Sequence, residues 1–141
     1  MKLDVTRRSD LAVRTLLALD GVGDRVKGSD LAELVSSTPG FLPQVLAPLV
    51  QRRWVRSDPG PTGGYVLLVD LGSISVLDVI EAIEGPTDLE MCVLDGKLCD
   101  DLGRCAIHDA WSRARETLVE ELGATSLEQI REHPPRGFPS W

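Results

Sequence analysis

The fold turns on one stretch: Trp54-Val55-Arg56-Ser57-Asp58-Pro59-Gly60-Pro61-Thr62-Gly63-Gly64-Tyr65-Val66-Leu67-Leu68. Trp54 to Ser57 reads as a strand, Gly60 to Gly64 as a glycine-rich turn, and Tyr65 to Leu68 as the returning strand. Three helical segments precede it. Ser9 is placed to cap the first, from Asp10 to about Asp20, which Gly21-Val-Gly23-Asp24 ends. Ser29 and Asp30 open a short second one, Leu31 to Val35. After the break at Ser36-Ser37-Thr38-Pro39, the third runs from about Pro39 to Arg53, with Phe41, Leu42, Val45, Leu46, Leu49 and Val50 as its apolar set. A tight break between the second and third outlines a helix-turn-helix, and a hairpin attached after it is a wing.

On the other side, Ser75 and Asp78 form a capping box that opens a helix from Val76 to Glu84, and Gly85-Pro86 stops it. Residues 88–105 have no periodicity and read as a loop. Ile107, Trp111, Ala114, Leu118 and Leu122 then make one stripe of a long amphipathic helix, to be covered either by a partner subunit or by its own domain. The tail from His133 to Trp141 is rich in Pro and Gly and is expected to be mobile.

A chain of 141 residues with a hydrophobic fraction of 43% suits one domain plus an extension. No signal peptide or membrane span is read, so a cytoplasmic setting with reduced thiols is expected. The net charge of −7 is unevenly spread. Residues 1–70 carry nine Lys/Arg against eight Asp/Glu, and residues 71–141 carry six against fourteen. The first half can therefore present a local basic face made of Lys2, Arg7, Arg8, Arg14, Arg52, Arg53 and Arg56, and local patches are what meet phosphates.

All three cysteines, Cys92, Cys99 and Cys105, lie within fourteen residues, and His108 follows. The pattern Cys-x6-Cys-x5-Cys-x2-His offers the thiolate and imidazole donors that metal and iron–sulfur centres take. Structural zinc fits less well, since its sites show a close ligand pair. Inert buried cysteines are the plain alternative. A thiol redox enzyme wants Cys-x-x-Cys, which is absent, and no catalytic constellation stands out, so no enzyme is expected.

Taken together, the chain resembles the Rrf-type family of winged-helix transcriptional regulators, the IscR-, NsrR- and RirA-like group. The stretches that carry the resemblance are Arg8-Ser-Asp-Leu-Ala-Val-Arg14, Phe41-Leu-Pro-Gln-Val-Leu46, Gly60-Pro-Thr-Gly-Gly-Tyr65 and Val76-Leu-Asp-Val-Ile-Glu-Ala-Ile-Glu-Gly-Pro86. It implies a mainly α fold with a small β-hairpin wing: a winged helix-turn-helix DNA-binding domain over 1–72, a connecting helix over 73–87, an iron–sulfur loop over 88–108, a dimerisation helix over 106–124, and a C-terminal segment over 125–141. It further implies a homodimer on a pseudo-palindromic DNA operator, acting as a repressor under control of an iron–sulfur cluster that responds to redox state, nitric oxide or iron supply. His108 would complete a 2Fe-2S site with the three cysteines. The alternative fourth ligand is Asp10 from the partner subunit, in a 4Fe-4S site.

The DNA-binding residues expected are Thr38 and Gly40 at the start of the recognition helix, Gln44 for adenine, Arg52, Arg53 and Arg56 for phosphates, and Gly63 and Gly64 in the wing. Two departures stand out. Pro43 replaces an acidic residue of IscR-like proteins, and Pro48 is expected to kink the helix. Asp58 occupies a usually basic position, where it would face phosphates and weaken binding. A second reading follows: a metal-dependent protein–protein interaction module that has lost DNA binding.

Overall fold

The computed structural model describes residues 1, 3–88, 90–99 and 105–141. Lys2 of the expected basic face and residues 89 and 100–104 of the expected cluster loop lie outside the described residues.

Helix α1 spans Arg7–Val22. It starts a turn earlier than expected because Thr6, not Ser9, is the cap: its hydroxyl oxygen accepts the Ser9 N–H at 3.2 Å. The helix ends on Gly23, whose φ of 71° is the left-handed conformation glycine adopts without penalty. Helix α2 is Gly28–Leu34. Ser36, at φ 55°, turns the chain, and the Ser37 N–H closes back on the Ala32 carbonyl at 2.8 Å. Helix α3 is Leu42–Gln51, shorter at both ends than the sequence suggests. Pro43 lies in its first turn, where a missing N–H costs nothing. Pro48 lies inside it and leaves the Gln44 carbonyl without its usual helical donor, yet the helix runs on to Gln51.

Strands β1 (Val55–Asp58) and β2 (Gly64–Leu67) form the wing, antiparallel, with Val55 opposite Leu67 and Asp58 opposite Gly64. Val26, between α1 and α2, adds a bridge to Tyr65: the two exchange backbone hydrogen bonds of 3.0 and 2.8 Å. Helix α4 (Val76–Glu84) carries the Ser75–Asp78 capping box that its sequence announces, and the helix stops at Gly85. Helix α5 is Ala106–Ala124, and α6 is Leu127–Glu132 with its own Ser126–Gln129 capping box.

The core gathers Leu16 and Leu19 of α1, Leu31 of α2, Leu42, Leu46 and Leu49 of α3, Val55, Leu71, Val79 of α4 and Leu127 of α6, each at most 1% exposed. Helix α5 stands apart: it has no buried residue, and Leu118 is 47% exposed. Its C-terminal end is the fastened end. There the Val76 N–H donates to the Thr125 carbonyl at 2.8 Å, the Leu127 N–H donates to Ile74 at 2.9 Å, and Gly123 comes against Leu77.

The tail, expected to be mobile, carries two aromatic side chains with partners in the fold. Phe138 and Trp141 pack on the core edge and on each other at 5.9 Å, the Arg14 guanidinium lies 3.9 Å over the Phe138 ring, and the Trp141 indole N–H donates to the Leu34 carbonyl at 3.2 Å. Composition alone misses this, because two aromatic anchors outweigh the Pro/Gly content around them.

Candidate functional site

Two regions carry polar chemistry. The first is the outer surface of the helix-turn-helix and wing. Buried Leu42, Val45, Leu46 and Leu49 fix the rotation of α3, which leaves Pro43, Gln44, Ala47 and Gln51 exposed on its opposite face. Gln44 therefore presents its amide outward. Thr38 and Gly40 lie exposed just before the helix, and the Thr38 hydroxyl oxygen accepts the Phe41 N–H at 3.2 Å. A Cβ on Gly40 would meet nothing within 4 Å, so packing does not require that glycine. Arg52 and Arg53 are exposed at the end of α3; Arg52 reaches over the Trp54 ring at 5.9 Å, and Arg53 takes a left-handed φ of 60°.

In the wing, Gly63 and Gly64 serve the protein's own backbone. A Cβ on Gly63 would fall 2.1 Å from the Asp58 carbonyl oxygen, and one on Gly64, at φ 147°, would fall 2.4 Å from that of Val26. Asp58, expected from the sequence to face phosphates as an acid, is ion-paired within the protein. Its carboxylate accepts from Arg56 Nε at 2.9 Å and from an Arg25 terminal nitrogen at 2.8 Å. The bond from Arg56, with the charge of that group and of Arg25, holds the Asp58 carboxyl below the usual carboxylate range, and Asp58 in turn raises Arg56. Arg56 is thus an ion-pair partner within its own strand. Sequence reasoning missed Arg25, whose partner lies 33 residues away and leaves no local signal.

The second region is the cysteine loop. Met91 and Leu98 form an antiparallel bridge, with the Cys92 N–H donating to the Lys97 carbonyl at 2.6 Å and the Cys99 N–H to the Glu90 carbonyl at 3.2 Å. Cys105 is the N-cap residue of α5, and His108 lies in that helix's first turn. One cavity is lined by Cys92, Cys99, Cys105, His108, Trp111 and Arg115, among others. Arg115 ties the loop to α5 by donating to the Met91 carbonyl at 2.6 Å. The Cys99 thiol is pushed up, first by burial and then by the charge of neighbouring Cys92 and Cys105.

Among the described residues, no three His, Cys, Asp or Glu side chains converge tightly enough to hold a metal ion. The donor set nonetheless fits a cluster in its chemistry. Three thiols and an imidazole share one cavity, and these are donors that such a centre takes. Asp10 is turned to its own helix: both carboxylate oxygens accept from Arg14 Nε at 3.0 Å.

Below α4, Glu84 is the acceptor at a junction. Its Oε1 takes hydrogen bonds from the hydroxyls of Ser9 at 2.5 Å and Thr6 at 2.7 Å. Those bonds, Ser9 first, hold the Glu84 carboxyl below its ordinary value. No described helix is long and apolar enough to cross a membrane.

A family model, Rrf2, described as "Iron-dependent Transcriptional regulator", matches residues 5–133. The HTH-type transcriptional regulator IscR of Xenorhabdus nematophila is 33% identical over 129 residues, covering 89% of this chain and 77% of the relative. IscR of Klebsiella pneumoniae is 30% identical over 128 residues, covering 89% and 78%. Among solved structures, CymR, the global cysteine regulator of B. subtilis, superposes with a TM-score of 0.76 at 22% identity, covering 95% of this chain and 100% of that one. T. potens IscR superposes with a TM-score of 0.72 at 22% identity, covering 100% and 95%. These structural likenesses carry the winged-helix fold. The chain belongs to the Rrf2 family of HTH-type transcriptional regulators.

Proposed function

We propose that the chain works as a homodimeric repressor whose grip on a pseudo-palindromic operator is set by an iron–sulfur cluster held by Cys92, Cys99, Cys105 and His108. The observation that carries the reading is the single cavity that these four side chains share at the foot of α5. When bound, such a cluster supplies a centre reactive towards oxidants and nitric oxide. The protein's own residues do the rest. Cys105 and His108 join the loop to the first turn of α5, and Arg115 fastens Met91 to the same helix. The uncovered stripe of α5 meets its twin in the partner, and a symmetric dimer sets two recognition helices against two half-sites. His108 is preferred over Asp10 as fourth ligand because it lines the cavity, whereas Asp10 is held by Arg14.

Purification without oxygen, with an absorbance spectrum and iron and sulfide counts, tests this. Brown protein with matched iron and sulfide, lost in His108→Ala and kept in Asp10→Ala, is the expected result. DNA retardation of the loaded and stripped forms at one salt concentration should differ. Colourless protein that binds its promoter unaided overturns the sensing reading. Loaded protein that binds no DNA favours the protein–protein module.

A further inference from the structure

The wing's one carboxylate lies where simple charge arithmetic forbids it on a DNA-facing surface. Asp58 does not project alone. It bridges two guanidinium groups from different parts of the chain, Arg25 before α2 and Arg56 on β1, at 2.8 and 2.9 Å. Arg25 also donates to the Thr62 carbonyl in the wing turn at 3.2 Å, and its Cγ lies 3.0 Å from where a Gly64 Cβ would be. The Asp24 carboxylate accepts the Arg25 backbone N–H at 2.6 Å, leaving the guanidinium for the wing. The Arg25 and Arg56 side chains stay 43% and 52% exposed, while Asp58 is 25% exposed beneath them. The cluster of two cations and one anion is net positive, with the cations outermost.

We infer that Arg25 is a DNA-phosphate contact and that Asp58 is its positioning residue, holding Arg25 and Arg56 as a preformed pad on the wing. The inference rests on the reading of this surface as the DNA face. A guanidinium has five N–H donors, so each of these arginines keeps unused ones after its two hydrogen bonds, and a fixed fork loses less side-chain freedom on meeting a phosphate than a free arginine does. Asp58 then strengthens binding although it is an acid.

The test uses the full-length protein and a mixed-sequence duplex, because phosphate contacts act without regard to sequence. Affinity is measured from about 50 to 200 mM salt, a range over which one phosphate contact changes affinity by about threefold. Arg25→Ala should make the slope of log affinity against log salt shallower by about 0.9 per subunit, and Arg25→Lys should restore it. Asp58→Asn should weaken binding by about threefold at low salt, with the melting curve confirming a folded wing domain. Tighter or unchanged binding by Asp58→Asn overturns the positioning role, and an unchanged slope in Arg25→Ala overturns the contact. Wild-type protein that binds no duplex even at low salt overturns both, together with the DNA-binding reading. If only Gln44→Ala lowers affinity, DNA binding by α3 stands and the wing inference falls.

Discussion

Replacing Ser9 with Ala removes one of the two hydroxyls that bind Glu84, and the structure sets the size and pH dependence of the effect. Ser9 is 0% exposed, so its hydroxyl has no water to turn to. It donates to Glu84 Oε1 at 2.5 Å, and Thr6 donates to the same atom at 2.7 Å. A hydrogen bond to a charged group contributes about 1.5–3 kcal/mol. Glu84 is solvent-exposed, so water replaces part of what Ser9 supplied, and the expected loss is about 1 kcal/mol. For a domain of this size that lowers Tm by about 3 °C. The two hydroxyls hold the Glu84 carboxyl below its ordinary value of 4.5. A depressed carboxyl stabilises the fold above its unfolded-state value, and that stabilisation disappears as pH falls through the folded value. Circular-dichroism melts of wild type and Ser9→Ala should therefore differ most at neutral pH and converge as pH drops below 4.5. A gap that stays constant or widens on acidification refutes the argument, as does the absence of any gap at neutral pH.

Other substitutions probe separate parts of the fold. Gly64→Ala places a methyl 2.4 Å from the Val26 carbonyl at a φ of 147°. It should cost about 1–3 kcal/mol by thermal melting through loss of the Val26–Tyr65 pair. Gly40→Ala, in open space, should leave Tm unchanged, so any fall in DNA affinity reports close approach of the start of α3 to the duplex. Trp141→Ala should lower stability by about 1–2 kcal/mol, since the half-buried residue sets its Cβ against Gly21 and its indole N–H donates to the Leu34 carbonyl. Leu118→Glu on the uncovered face of α5 should leave the melting of a dilute sample within about 0.5 kcal/mol of wild type, while sedimentation reports loss of the proposed dimer.

What could be read ahead of the structure divides by the range of the interactions. The Ser75–Asp78 capping box and the stop at Gly85 are local, so α4 is legible to the residue. The wing is legible for the same reason, since its turn glycines and flanking β-formers are neighbours. Ser9 misleads because two hydroxyls compete for one cap, and its partner, Glu84, is 75 residues away. The pairing of Asp58 is not legible because its partner Arg25 comes from another segment. The contacts of the tail are not legible because composition weighs its Pro and Gly above Phe138 and Trp141, whose packing surface belongs to α1 and α2. The cysteine spacing singles out the candidate donors, and the shared cavity at α5 is the added three-dimensional fact.

Helix α5 is pinned at its C-terminal end, where Thr125 and Leu127 join the backbone at the start of α4, and the cysteine loop is strapped to it by Arg115. Nineteen residues at 1.5 Å each make a rod about 28 Å long. Pivoting it by about ten degrees at the pinned end sweeps the Cys105 end through about 5 Å. A small rotation at that joint becomes, at the far end of this lever, a displacement about as large as one turn of helix.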